Sequence, residues 1–132
     1  MSNTVLVVDD DPEFLREITV LLNGSGYMTV TARDGKEALT KLADPDIVVD
    51  VAIIDLAMPE VGGFQVIGEL GKVERRPIPL LAVTGAYSNL YLEVAKYLGA
   101  HESIRKPLSG QPLTPIIEAL NRIVANAEEE LR

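Results

Sequence analysis

Val5-Leu6-Val7-Val8-Asp9-Asp10-Asp11-Pro12-Glu13-Phe14-Leu15 is the stretch that decides how this chain folds. Four aliphatic residues in succession, cut off by charge, describe a strand buried on both faces. Asp11 before Pro12 reads as a helix N-cap followed by proline at the first helical position, and Glu13 sits favourably against the helix dipole. Phe14, Leu15, Ile18, Leu21 and Leu22 then fall on one helical face, and Asn23-Gly24 supplies the stop. Asp11 is thereby assigned to capping rather than to ligand binding.

The same strand-then-helix unit recurs along the chain. Tyr27–Ala32 reads as a strand, after which Asp34 caps a helix, Glu37 completes a capping box, and Ala38, Leu39 and Leu42 form the inner face. Val51–Ile54 is the next buried strand, ending at Asp55, and the loop Leu56–Gly63 leads to a short helix carrying Phe64, Ile67 and Leu70. Pro79–Val83 is a fourth strand, ending at Thr84-Gly85. Tyr87, Leu90, Tyr91, Val94 and Leu98 make a fourth helical face, closed by Gly99. His101–Arg105 reads as a weak fifth strand ending at Lys106-Pro107. Pro112 and Pro115 confine the start of the last helix to between Ser109 and Thr114. That helix carries Leu113, Ile116, Ile117, Leu120 and Val124 and is expected to fray near Glu128–Arg132. Five strands alternating with five helices predict an α/β fold, a doubly wound parallel sheet closed by right-handed crossovers. In such sheets ligands sit beyond the carboxyl ends of the strands, at the topological switch point.

No repeat, low-complexity stretch or linker interrupts this pattern, so residues 1–132 read as a single domain. Cysteine is absent, which excludes disulfide frameworks, thiolate zinc sites, iron–sulfur clusters and thiol nucleophiles. Twelve Lys and Arg against twenty Asp and Glu leave a net charge of −8. A surface this acidic repels phosphate backbones and anionic lipid, so no direct contact with nucleic acid or membrane is expected. The apolar runs are too short for a membrane span, and Met1–Thr4 leave no room for a signal peptide. The expectation is a soluble, acidic, intracellular protein.

The predicted strand ends bring together Asp9 and Asp10, Asp55, Thr84 and Lys106. Crowded carboxylates repel, so either a proton is retained or a cation is bound. An all-oxygen set without His or Cys suits a hard ion, and Mg2+ is the usual choice where carboxylates and phosphate oxygens share the shell. A lysine and a threonine beside such an ion supply what a phosphoryl group needs: charge neutralisation and a hydrogen-bond donor.

Val5 to Pro12, the run Asp55-Leu56-Ala57-Met58-Pro59-Glu60-Val61-Gly62-Gly63, Val83-Thr84-Gly85 and Lys106-Pro107 occur in this order, with 22 residues from Thr84 to Lys106. Together they resemble the receiver domain of bacterial two-component response regulators, in a stand-alone form. The resemblance implies a flavodoxin-like fold with strand order 2-1-3-4-5. It implies that Asp55 is the phosphoacceptor, that Asp10 binds Mg2+ directly and Asp9 directly or through water, and that Ala57 offers its backbone carbonyl to the ion. Lys106 would pair with one phosphate oxygen and Thr84 with another. The Lys106–Pro107 peptide is cis in the family, where proline lowers the cis penalty to about 0.5–1 kcal/mol.

The implied donor is a phosphohistidine on a sensor histidine kinase or a histidine phosphotransfer protein. Hydrolysis of the acyl phosphate would reset the switch, so the chain is expected to be no enzyme beyond self-phosphorylation and autodephosphorylation. Thr84 would move toward the new phosphate, pull the loop Gly85–Ser88 and re-pose the fourth helix. A cytoplasmic location also follows from the resemblance, which allows a homodimer through the fourth helix, fifth strand and fifth helix. DNA binding or catalysis on another substrate would need a partner protein or a longer natural chain, and a stand-alone receiver is expected to act by target binding or by phosphate relay.

Two positions depart from the family pattern. Ser103 stands where an aromatic residue usually swings inward, three positions before Lys106, so the output surface is expected to be atypical; Tyr87, Tyr91 and Tyr97 are candidate substitutes. Gly62 stands where an acidic residue often precedes Gly63, which predicts a more mobile loop. These departures support the alternative of a degenerate receiver acting as a phosphorylation-independent interaction or dimerisation module. A haloacid-dehalogenase-type phosphohydrolase would need a second acid where Ala57 stands, and a nucleotide or flavin binder would need glycines where the first turn has three acids. His101 is expected to be half-buried or on the surface, and Asp44, Asp46 and Asp50 read as solvated loop charges.

Overall fold

A computed structural model describes residues 3–58, 62–70, 78–85 and 89–130. Its elements are β1 (Thr4–Val8), α1 (Pro12–Gly24), β2 (Met28–Ala32), α2 (Gly35–Ala43), β3 (Val51–Asp55), α3 (Gly63–Leu70), β4 (Leu80–Thr84), α4 (Asn89–Tyr97), β5 (Glu102–Arg105) and α5 (Thr114–Glu130). The strands pair in parallel in the order β2-β1-β3-β4-β5. The expected strand order and doubly wound architecture are therefore present.

Period-two alternation along each strand separates two cores. Val5, Val7, Val51, Ile53, Leu81 and Val83 face α1 and α5, meeting Phe14, Ile18, Leu22, Ile116 and Leu120. Leu6, Val8, Ala52, Ile54, Leu80 and Ala82 face α2, α3 and α4, meeting Ala38, Val66, Ile67 and Ala95. With β1, β3 and β4 covered on both sides, their carboxyl ends are left as the open rim.

Local signals set the element ends. The Asp11 carboxylate accepts the Glu13 N–H at 3.0 Å, which makes it the cap of α1. Asp34 likewise accepts the Glu37 N–H at 2.7 Å. The Glu37 carboxylate pairs with Arg33 and Lys41 on either side of it. Gly26 and Gly99 adopt φ of +93° and +119°, the left-handed turn that leads out of α1 and α4.

Several expectations are corrected. β2 starts at Met28, because the Tyr27 N–H closes the end of α1 on the Leu22 carbonyl and its hydroxyl donates to Asn121 on α5. α5 stays helical through Glu130, so 128–130 continue the helix where fraying was expected, and Leu131 and Arg132 lie outside the described residues. No peptide bond is cis among the described residues, so Lys106–Pro107 is trans, the isomer favoured intrinsically for X–Pro. Asp50 is no free loop charge: its Oδ2 accepts the Thr4 N–H at 2.8 Å and its own N–H donates to the Thr4 carbonyl, clipping the starts of β1 and β3 together.

The inner face of α4 is also different. Leu90, Tyr91 and Leu98 are 61%, 38% and 46% exposed, whereas Ala95 is fully buried. The helix seats through its smallest side chain, which meets Ala82 and Ala100 and lets it approach the sheet closely. The larger residues are left at the margins, and Tyr91 packs edge-to-face on Phe64 of α3 at 5.6 Å. Tyr87 lies outside the described residues.

Candidate functional site

The rim gathers the residues singled out by spacing. Asp9 directly follows β1 and is completely buried, and the turn into α1 places Asp10 at the surface beside it. β3 ends in Asp55, 4% exposed. One oxygen from each of Asp9, Asp10 and Asp55 lies within 4.8 Å of the others, close enough to share one cation. β4 ends in Thr84, fully buried, whose carbonyl accepts the Lys106 N–H at 2.9 Å. That bond carries β5 past its last residue and aims Lys106 inward.

The two buried carboxylates, Asp9 and Asp55, are each held by a local device. Asp9 Oδ1 accepts the Asp11 N–H at 2.9 Å, so the turn that caps α1 also fixes Asp9. Asp9 Oδ2 lies 2.7 Å from Lys106 Nζ, off the angle of a hydrogen bond, and is a buried oxygen without a hydrogen-bond partner. Asp55 Oδ1 accepts the Ala57 N–H at 3.0 Å. This two-residue loop places Ala57 directly against the acceptor, and Ala57 itself is exposed. Gly63 completes the wall: a Cβ there would stand 2.2 Å from the Asp55 carbonyl oxygen, so only glycine lets α3 begin so near the end of β3.

Electrostatics follow from burial. Desolvation pushes Asp9 up from 3.8 to about 6, against the pull of Lys106 and the Asp11 N–H, with the charge of Asp55 adding to the rise. Asp55 is raised by burial first and by Asp10 and Asp11 as well, while the Ala57 N–H and Lys106 oppose the shift. Among the described residues the Lys106 ammonium bears on both Asp9 and Asp55, and Asp10 stands beside them. Three clustered carboxylates, one of them with a buried oxygen that accepts no hydrogen bond, form the all-oxygen donor set a hard divalent cation satisfies, so these residues fit Mg2+.

Sequence reasoning missed two features. Phe14, read only as core, lies with its ring centroid 4.2 Å from Lys106 Nζ. Its position on the first turn of a helix that begins at the acidic triplet was the available signal. Ser103, at the position of the expected aromatic toggle, donates from Oγ to the Leu92 carbonyl of α4 at 2.9 Å. Tyr97 points to solvent at 90% exposure. The loop around Gly62 includes residues 59–61, outside the described residues. His101 is exposed, and its Nδ1 accepts the Leu80 N–H at 3.4 Å.

Comparison with known proteins agrees with this arrangement. The response regulator receiver domain family matches residues 5–118. The response regulator GtcR of Aneurinibacillus migulanus is 35% identical over 125 residues, covering 95% of this chain and 48% of that protein. The transcriptional regulatory protein CpxR of Escherichia coli (strain K12) is 31% identical over 120 residues, covering 91% and 50%. The chain thus spans about half the length of the curated relatives it matches. Among solved structures, the Vibrio cholerae chemotaxis protein CheY4 superposes with a TM-score of 0.81 at 28% identity, over 93% of this chain and 99% of that one. A CheY-like receiver domain from Methanospirillum hungatei has a TM-score of 0.86 over 98% and 99% of the two chains, at 24% identity, a likeness of fold. No described helix is long and apolar enough to cross a membrane. Flavodoxin-like topology, an acid cluster at the switch point and a match from the first strand into the last helix lead to one assignment: the chain belongs to the receiver domain family of two-component response regulators.

Proposed function

We propose that the chain is a phosphorylation-dependent switch that accepts a phosphoryl group on Asp55 from a phosphohistidine of a sensor histidine kinase or a histidine phosphotransfer protein. The observation that carries this reading is the buried Asp55 carboxylate clustered with Asp9 and Asp10, beside the Lys106–Asp9 ion pair. Asp55 Oδ1 is occupied by the Ala57 N–H, which leaves Oδ2 as the nucleophile. Its lone pair forms the O–P bond as the donor P–N bond breaks, and the imidazole keeps that electron pair and takes a proton. Asp9, Asp10, Asp55 and the Ala57 carbonyl would hold Mg2+. When bound, the ion offsets the carboxylate charge and accepts phosphate oxygens.

Lys106 screens the repulsion between the acidic pocket and the incoming anion, and thereafter pairs with a phosphoryl oxygen. Thr84, buried at the next strand end, hydrogen-bonds another. Water then cleaves the acyl phosphate, and uptake and loss of this group are the chain's whole chemistry. The readout is α4 with β5 and α5, a face that also offers Leu90, Tyr97 and Leu98 to a second copy. Action is in the cytoplasm. Ser103, the main support for a degenerate receiver, lies outside the acid cluster and engages the α4 backbone.

Intact-mass spectrometry after incubation with Mg2+ and acetyl phosphate tests the reading. One added phosphoryl mass is expected, absent in Asp55→Asn and absent without Mg2+. A label that survives Asp55→Asn would place the acceptor elsewhere, and no label on the wild-type chain would favour a phosphorylation-independent module.

A further inference from the structure

We propose that Phe14 is a positioning residue for Lys106, its ring face holding the ammonium between itself and Asp9. This rests on the phosphoacceptor reading only for its consequence, since the contact exists without phosphate. The ammonium lies 4.2 Å from the Phe14 centroid and 2.7 Å from Asp9 Oδ2. Phe14 is 5% exposed and the Lys106 side chain 18%, so the cation is largely withdrawn from water where the ring meets it.

Lysine is a point charge on a flexible four-carbon stem, and a single carboxylate would fix its distance without fixing its direction. The negative face of an aromatic ring attracts a cation within about 6 Å, most strongly when the pair is desolvated. Phe14 shares its core with Val5, Val7 and Ile116, where an aliphatic residue would also be apolar yet offer no such face. The placement is built into the chain. The acidic triplet ends β1, Pro12 opens α1, and the first turn of that helix brings Phe14 beside the ammonium.

Stepwise fluorination separates attraction from packing, because it drains the ring face of negative charge at nearly constant size. Position 14 is occupied in turn by phenylalanine, difluoro- and pentafluorophenylalanine, with Phe14→Leu as the aliphatic limit. Phosphorylation by acetyl phosphate at saturating Mg2+ should slow progressively, by about threefold to tenfold at the pentafluoro stage. In a Lys106→Ala background the same series should be flat.

A second readout needs neither metal nor phosphate. Acetylation of Lys106 by acetic anhydride, measured against exposed Lys36, should rise severalfold along the series in chelator-treated protein. Equal labelling of Lys106 across the series, or a rate series as steep in Lys106→Ala as in the wild type, overturns the proposal. Absence of phosphate uptake by the wild-type chain would instead refute the switch, and the labelling series would still decide the role of Phe14.

Discussion

Replacing Asp9 with Asn should stabilise the metal-free protein at neutral pH, although it removes one half of a buried ion pair. Burial holds the Asp9 carboxyl at about 6 against its ordinary 3.8, with Lys106 already counted as opposing the rise. The folded state therefore binds this proton more tightly than the unfolded chain does. The stability it contributes is fully present below about pH 3.8 and is lost as pH rises through about 6. Carried to pH 7, that difference amounts to about 3 kcal/mol of destabilisation by the ionised group. Asparagine keeps the shape and removes the charge but leaves Lys106 without its carboxylate, so a gain of about 2 kcal/mol is expected.

Urea unfolding in chelator at pH 7 and pH 4 measures it. The gain should shrink below about 1 kcal/mol at pH 4, where wild-type Asp9 is protonated in the folded state. Added Mg2+ should then stabilise the wild type more than Asp9→Asn, because binding to the folded state alone raises stability by mass action. A variant less stable than the wild type at pH 7, or an equal gain at both pH values, would refute the assignment of Asp9 as the strained charge of the pocket.

Two further substitutions probe the framework around the site. Gly63→Ala puts a methyl group against the Asp55 carbonyl oxygen and the Leu56 Cα, backbone atoms that cannot retreat. It should lower the urea midpoint by the equivalent of about 1–3 kcal/mol and weaken Mg2+ binding with it; an unchanged midpoint would mean that α3 shifts freely. Ser103→Ala removes the bond to the Leu92 carbonyl at a cost of about 1 kcal/mol. Amide exchange should quicken in α4 and stay unchanged in α1, whereas a uniform change would deny that this bond is local to α4.

The fold was legible because its strands carry their own limits. Val5–Val8 and Val51–Ile54 are continuous aliphatic runs that stop at an aspartate, and the helices between them announce their starts through Asp11-Pro12 and Asp34. These are local signals, and local physics reads them. The site was legible for the same reason: a residue just past a buried parallel strand has only the rim to occupy, so Asp9, Asp55, Thr84 and Lys106 were bound to converge. What stayed hidden depends on approach between elements. Nothing in Asn89–Tyr97 says that the helix will seat on Ala95 in preference to its leucines, because that depends on Ala82 and Ala100 making room. Asp50 looks like any loop acid until β1 brings the Thr4 N–H to it. The ring of Phe14 became part of the site only when β5 delivered Lys106 across it.

The resting arrangement also bears on the proposed response to phosphate. Lys106 is already engaged, by Asp9 on one side and the Phe14 ring on the other, and Asp9 and Asp55 both hold their protons more tightly than an ordinary carboxyl. The unmodified site is thus electrostatically unfinished: among the described residues, Lys106 is the cation set against its three clustered acids. On the proposed reading, a phosphoryl group on Asp55 would add negative charge that the Lys106 ammonium could not serve together with Asp9. Any gain in the Lys106–phosphate contact is therefore a loss in the Lys106–Asp9 contact, unless a second cation takes over Asp9. Coupling between metal binding and lysine placement follows from this shared charge, and because the Lys106 N–H is bonded to the Thr84 carbonyl, the same competition bears directly on the end of β4.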